Sequence, residues 1–170
     1  MPYSATKKRI TPADYLNLAT KETDIAVKIG YLRAARREYL KVRDTASIDR
    51  VSKWILDAVG KETEYEKKIG YMRGERGFQI NQNNSKEANK MTSIIQEITK
   101  QEKIKNAGWN ARKYSQEIEK GNPQAVGYLK KAAADYRAGG KPDMAENITK
   151  QLPEVREELR RIRKNLEPKK

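Results

Sequence analysis

Apolar residues recur along this chain at the three-and-four spacing that lines one face of a helix. Ile25, Ile29, Leu32 and Tyr39 share a stripe and predict a long helix over about 21–42. Ile48, Val51, Ile55 and Val59 predict the next, opened by Asp44-Thr45 and closed at Gly60. Tyr65, Ile69 and Met72 mark a third over about 61–80. Ala88, Met91, Ile95 and Ile98 mark a fourth from Ser85 to about Ile104, started by the cap and acid of Asn84-Ser85-Lys86-Glu87.

A separate helix is expected through Trp109 and Ile118, ending at Gly121, and another over about 124–138 after the Asn122-Pro123 start. Val155, Leu159, Ile162 and Leu166 predict a last helix opened by Leu152-Pro153, beyond a turn at Gly139-Gly140-Lys141-Pro142. Near the beginning, Thr11-Pro12-Ala13-Asp14 combines a cap, a first-turn proline and a first-turn acid, so a short helix should carry Tyr15, Leu16 and Ala19. No segment alternates as a strand does. The expected fold is all-α: a flexible basic arm over 1–10, then one helical domain over 11–168.

The helices repeat. Residues 21–36 and 61–76 share 9 of 16 residues at an offset of 40, including Lys28-Ile29-Gly30-Tyr31 against Lys68-Ile69-Gly70-Tyr71, Arg33 against Arg73 and Arg36 against Arg76. A fainter copy at offset 78 sets Gly30-Tyr31 on Gly108-Trp109 and Asp44 on Asn122. A further register at offset 97 sets Gly30-Tyr31-Leu32 on Gly127-Tyr128-Leu129. Repeated amphipathic hairpins bury their apolar faces on their neighbours, so the expected architecture is antiparallel helical-hairpin repeats, as an α-solenoid or a layered helical bundle.

Ala132, Tyr136, Gly140 and Ala145 resemble the small-aromatic-Gly-Ala spacing of tetratricopeptide-type hairpins. Ala35, Tyr39 and Ile48 follow the same spacing, with Arg43 where that family has Gly, and the unit of about 38–40 residues is longer than the family's roughly 34. The resemblance covers parts of two hairpins. It implies a binding scaffold and transfers no ligand site.

Composition adds two constraints. Leu, Ile, Val and Phe make only 30 of the 170 residues, a level that alone would suggest disorder, but their periodicity argues for folding. The chain has no cysteine and no histidine, which excludes disulfides, thiolate or imidazole metal sites, and triad or histidine-base catalysis. No phosphate-loop or dinucleotide glycine pattern occurs; Gly70-Tyr71-Met72-Arg73-Gly74 has the wrong spacing, and Glu62, Glu64 and Glu66 diverge around a helix. A non-enzymatic protein without cofactor or metal is expected. No run is apolar enough for a membrane span, so the expected setting is cytoplasmic or within a nucleoprotein particle.

The 37 Lys+Arg against 23 Asp+Glu give a net charge of +14. The surplus is spread along the chain and richest in 101–140, so a folded basic surface is expected in place of a charged tail. Arg33, Arg37 and Lys41 share one helix face, and Arg73 and Lys130 repeat Arg33. Such a face suits a phosphate backbone; its bland alternative is a solvated surface paired with Glu38 or Asp44.

Arg36 and Arg76 sit inside the apolar stripe, either as structural arginines bonded to an acid or to helix-end carbonyls between layers, or as guanidiniums at a groove mouth. Lys7, Lys8 and Arg9 in the arm, with Arg112, Lys113 and Lys131, complete the candidate basic set. Tyr31, Tyr71, Trp109 and Tyr128 each follow a glycine; they would pack over a close helix contact or stack on bases. The last helix, with Arg156, Arg160, Arg161, Arg163 and Lys164 around a narrow apolar seam, would cap the fold or pair with another chain.

Two functions follow as expectations. The first is non-catalytic binding of nucleic acid or a ribonucleoprotein surface, as by a coat or packaging subunit. The second is an adaptor that binds an acidic protein partner in a repeat groove. Self-association is compatible with both.

Overall fold

A computed structural model describes residues 10–166 and is all-helical over them. The helices are α1 (Pro12–Lys21), α2 (Ile25–Lys41), α3 (Thr45–Gly60), α4 (Tyr65–Asn81), α5 (Ser85–Ile118), α6 (Gln124–Ala138) and α7 (Pro142–Leu166). The chain divides into two compact units, with the boundary inside α5 between Thr92 and Ser93.

In the first unit α2 packs against both α1 and α3, and α4 packs against α3. Ile29, Leu32, Ala35, Val51, Ile55 and Val59 are fully or nearly fully buried there. The starts of α1 and α3 are those the caps predict. Thr11 and Asp14 form a reciprocal capping box at α1. Asp44 caps α3 by accepting the Ser47 N–H at 3.1 Å. Hydrogen bonding from Ser47, and then the charge of Arg50, hold the Asp44 carboxyl below its usual value. α2 and α4 begin at Ile25 and Tyr65, with the first residues of their apolar stripes and four residues later than the expected starts at about 21 and 61. The reason is local: Glu22 Oε1 accepts the N–H groups of Thr23 and Asp24, and Glu62 Oε1 those of Thr63 and Glu64, which holds both short stretches outside the helix.

In the second unit α6 packs against α7. Ile118, Ala125, Leu129, Val155 and Leu159 form its core, flanked by Tyr114, Val126, Ile148, Leu152 and Ile162. Two expectations need correction. The helices foreseen over 85–104 and through Trp109 to Ile118 are one helix of 34 residues. Where α3 meets its turn at Gly60-Lys61-Glu62-Thr63, the equivalent Lys100-Gln101-Glu102-Lys103 consists of good helix formers and nothing breaks the helix. The last helix opens at Pro142, and Pro153 lies inside it. Pro142 takes the first-turn position where proline is tolerated, whereas Pro153 removes the backbone donor that would reach the Thr149 carbonyl and its ring crowds that oxygen.

Four helix ends share one device. Arg43 (φ 54°), Asn83 (φ 57°), Gly121 (φ 67°) and Gly140 (φ 77°) all adopt left-handed backbone. In each case the next N–H bonds a carbonyl five residues back: Asp44 to Tyr39, Asn84 to Gln79, Asn122 to Glu117 and Lys141 to Tyr136. The four positions stand at the offsets 0, 40, 78 and 97 found in the sequence. Only two of them are glycine, and an L side chain pays roughly 1–2 kcal/mol in this region. Arg43→Gly is therefore expected to stabilise the first unit by about 0.5–1 kcal/mol after the entropy of the freer unfolded chain is subtracted, and Asn83→Gly by less, because asparagine tolerates the conformation. Urea denaturation midpoints measure both; a fall in midpoint for Arg43→Gly would contradict the assignment.

The glycines before the four aromatics serve no close approach. A Cβ at Gly30, Gly70, Gly108 or Gly127 would meet nothing within 4 Å. The packing expected over them is not what these glycines provide.

Candidate nucleic-acid interface

The basic candidates separate into interior and surface groups. Lys7, Lys8 and Arg9 lie outside the described residues. Arg36 is buried, and its Nη1 donates to Glu75 Oε2 at 2.5 Å and to the Ser52 hydroxyl at 3.1 Å. Its guanidinium also lies 3.6 Å from the centre of the Phe78 ring. Arg33 is half-buried; its Nε donates to Glu75 Oε1 at 3.0 Å and its Nη2 to the Tyr71 carbonyl at 3.3 Å. Both arginines are thus held by one carboxylate, that of Glu75, which is 1 % exposed.

Arg37, Lys41, Arg73, Arg76, Arg112, Lys130 and Lys131 are exposed, while Lys113 is half-buried. Lys41 pairs with Glu38 at 2.5 Å, a surface contact of little energetic weight. Arg76 Nε donates to the Thr92 hydroxyl at 2.8 Å. Tyr31 and Tyr71 are half-buried on α2 and α4.

Four candidates meet in the second unit. Trp109 on α5 and Tyr128 on α6 contact edge to face, with ring centres 6.0 Å apart. The Lys113 ammonium sits 5.7 Å from the Trp109 ring centre, and that of Lys131 sits 6.0 Å from the Tyr128 ring centre. These distances are near the outer limit of a cation–π contact. Trp109 is 49 % exposed, high for the largest side chain.

The support behind this cluster is polar and core-like. Buried Asn110 donates from Nδ2 to Asp135 Oδ2 at 3.1 Å, and Lys103 pairs with the other oxygen of Asp135 at 3.5 Å, which ties α5 to α6. Leu129, next to Tyr128, is in the core. The turn between the helices is fixed by Glu117, which accepts from Lys120 and Asn122; those hydrogen bonds hold its carboxyl below its usual value. The rings and ammonium groups are therefore carried by rigid elements. Together they offer π-faces for bases and cations for phosphates.

Other features are sparser. A groove of about 580 Å³ opens among α1, α2 and α3, with Leu16, Ile25, Leu32 and Trp54 among its lining residues. Among the described residues, no group of His, Cys, Asp and Glu could hold a metal ion, and no helix is long and apolar enough to cross a membrane. No family model, curated protein or solved structure matches the chain.

Glu75, Ser52 and Thr92 were not among the residues singled out from sequence, although they fix Arg33, Arg36 and Arg76. The available signal was an acid within an apolar stripe: Glu75 stands 40 residues after Ala35, a fully buried position.

Proposed function

We propose that the protein binds single-stranded nucleic acid without catalysis, and that the Trp109–Tyr128 pair with Lys113 and Lys131 is the contact surface. The observation that carries this reading is the meeting of two aromatics and two lysines from separate helices on one patch, with Trp109 and Lys131 exposed and Tyr128 and Lys113 half-buried. Stacking on an aromatic face is tolerant of sequence, and the ammonium groups answer the backbone charge. The excess of positive charge, +14, adds long-range attraction for a polyanion. Arg112 and Lys130, exposed neighbours in the chain, extend the basic character of α5 and α6.

We read the helices as antiparallel hairpin repeats of the tetratricopeptide type that present this surface. Supporting that reading are the four left-handed helix ends at the repeat offsets, and the complete burial of Ala35, Ala132 and Ala145 at the small positions of the pattern.

The test is a titration with a fluorescent single-stranded oligonucleotide across a range of salt. Affinity should fall with a slope of roughly −0.7 per phosphate contacted. Trp109→Ala should weaken binding by about tenfold, corresponding to the loss of one stacked base. Lys113→Glu with Lys131→Glu should lower the salt slope by at least about one unit. Absence of binding at low salt, or a Trp109→Ala affinity equal to the parent's, would overturn the proposal.

A further inference from the structure

The arginine pair of the first repeat is filled, and that of the second is open. Arg33 and Arg36 share the Glu75 carboxylate, delivered by α4. Forty residues on, Arg73 and Arg76 occupy the matching positions of α4. The orienting hydroxyl is repeated as well: Ser52 accepts from Arg36, and Thr92 accepts from Arg76, each 16 residues after its arginine. The carboxylate is not repeated. Arg73 and Arg76 are exposed, and neither forms an ion pair with a carboxylate among the described residues.

The cause lies in α5. After α3, residues 61–64 turn the chain so that α4 can lay Glu75 against α2. At the equivalent residues 101–104 the chain is still helical, so no turn there returns a helix to α4. Nor would the next copy supply the charge. Offset 78 sets Ala35, and with it Glu75, on Lys113, which carries the wrong sign.

We propose that Arg73, Arg76 and Thr92 form a docking site for a glutamate-bearing helix of a partner protein. The filled site states what that helix must carry. A glycine or similarly small residue before the glutamate leaves the guanidinium in place: Arg33 Nη2 lies 2.7 Å from where a Cβ on Gly74 would stand, and shifting it would disturb the hydrogen bonds to Glu75 and the Tyr71 carbonyl. An aromatic should follow three residues after the glutamate, as Phe78 does to stack on Arg36. Two guanidinium forks converging on one carboxylate give directional recognition that point charges on lysine do not. A second copy of this chain is a poor occupant, since its own Glu75 is already engaged.

The probe is a fluorescently labelled, helix-stapled peptide of residues 65–81, the segment that fills the first site, titrated against the full chain by anisotropy. Binding is expected. It should weaken at least tenfold with a Glu75→Gln peptide, with a Gly74→Val peptide, and with full chain carrying Arg73→Ala and Arg76→Ala. Arg73→Lys with Arg76→Lys should also weaken it, because the charge remains and the forks do not. Trp109→Ala should leave peptide binding unchanged, which separates this site from the nucleic-acid surface. No peptide binding, or equal binding by the Arg73→Ala/Arg76→Ala chain, overturns the proposal. So does the pattern in which those two substitutions weaken an oligonucleotide tenfold and the peptide not at all; the pair would then be a phosphate site.

Discussion

Glu75→Gln is expected to destabilise the first unit by about 3–5 kcal/mol, since removing one partner of a buried ion pair strands the other. Arg36 is 5 % exposed and would keep the Ser52 hydroxyl, the face of Phe78 and one neutral amide oxygen in place of the two carboxylate oxygens. Glutamine preserves shape, so the loss reports charge and not a cavity. For a unit of this size the thermal midpoint should fall by more than about 10 °C. The chain has two tryptophans, Trp54 in the first unit and Trp109 in the second. A Trp109→Phe background therefore lets Trp54 emission follow the first unit alone. Glu75→Leu combined with Arg36→Met should recover most of the loss, because a packed apolar pair often matches a buried ionic one. A Glu75→Gln loss below about 1 kcal/mol would show that the carboxylate is dispensable.

Leu129→Ala is expected to remove about 3 kcal/mol from the second unit, within the range for buried leucine truncations that leave a cavity. Leu129 is 4 % exposed and packs with Ile118, Ala125, Val155 and Leu159, so three helices line the space it would vacate. Leu129→Met, which nearly conserves volume, should cost under about 1.5 kcal/mol. Trp109 emission in a Trp54→Phe background measures both by urea denaturation. Equal effects of alanine and methionine would argue against a cavity mechanism.

Much of the fold was legible because its signals are local. The capping box of Thr11 and Asp14, the caps at Asp44 and Asn84, and the left-handed Gly121 and Gly140 each act within a few residues. Besides the starts of α2 and α4, two boundaries escaped local reading. The stretch at 99–105 lacks a breaker, so two apolar stripes run on one helix, and Pro153 resembles a start signal although the helix is already formed.

The site was legible in part. Trp109, Lys113, Tyr128 and Lys131 were named from their residue types and registers, but their meeting depends on the pairing of α5 with α6, which no local pattern encodes. Arg33 and Arg36 were visible as charges at repeated positions. Their engagement with Glu75 is not local: Arg36 and Glu75 are 39 residues apart.

That separation orders events in time. A chain leaving the ribosome at roughly 5–20 residues per second exposes α2 and α3 about 1–4 seconds before α4 is complete. During that interval Arg36 has no carboxylate, and burying it would strand a charge. The packing of the first hairpin around Arg36 is therefore expected to be completed only when α4 brings Glu75. A residue that looks like a static tie in the finished molecule also sets when its neighbours can finish folding.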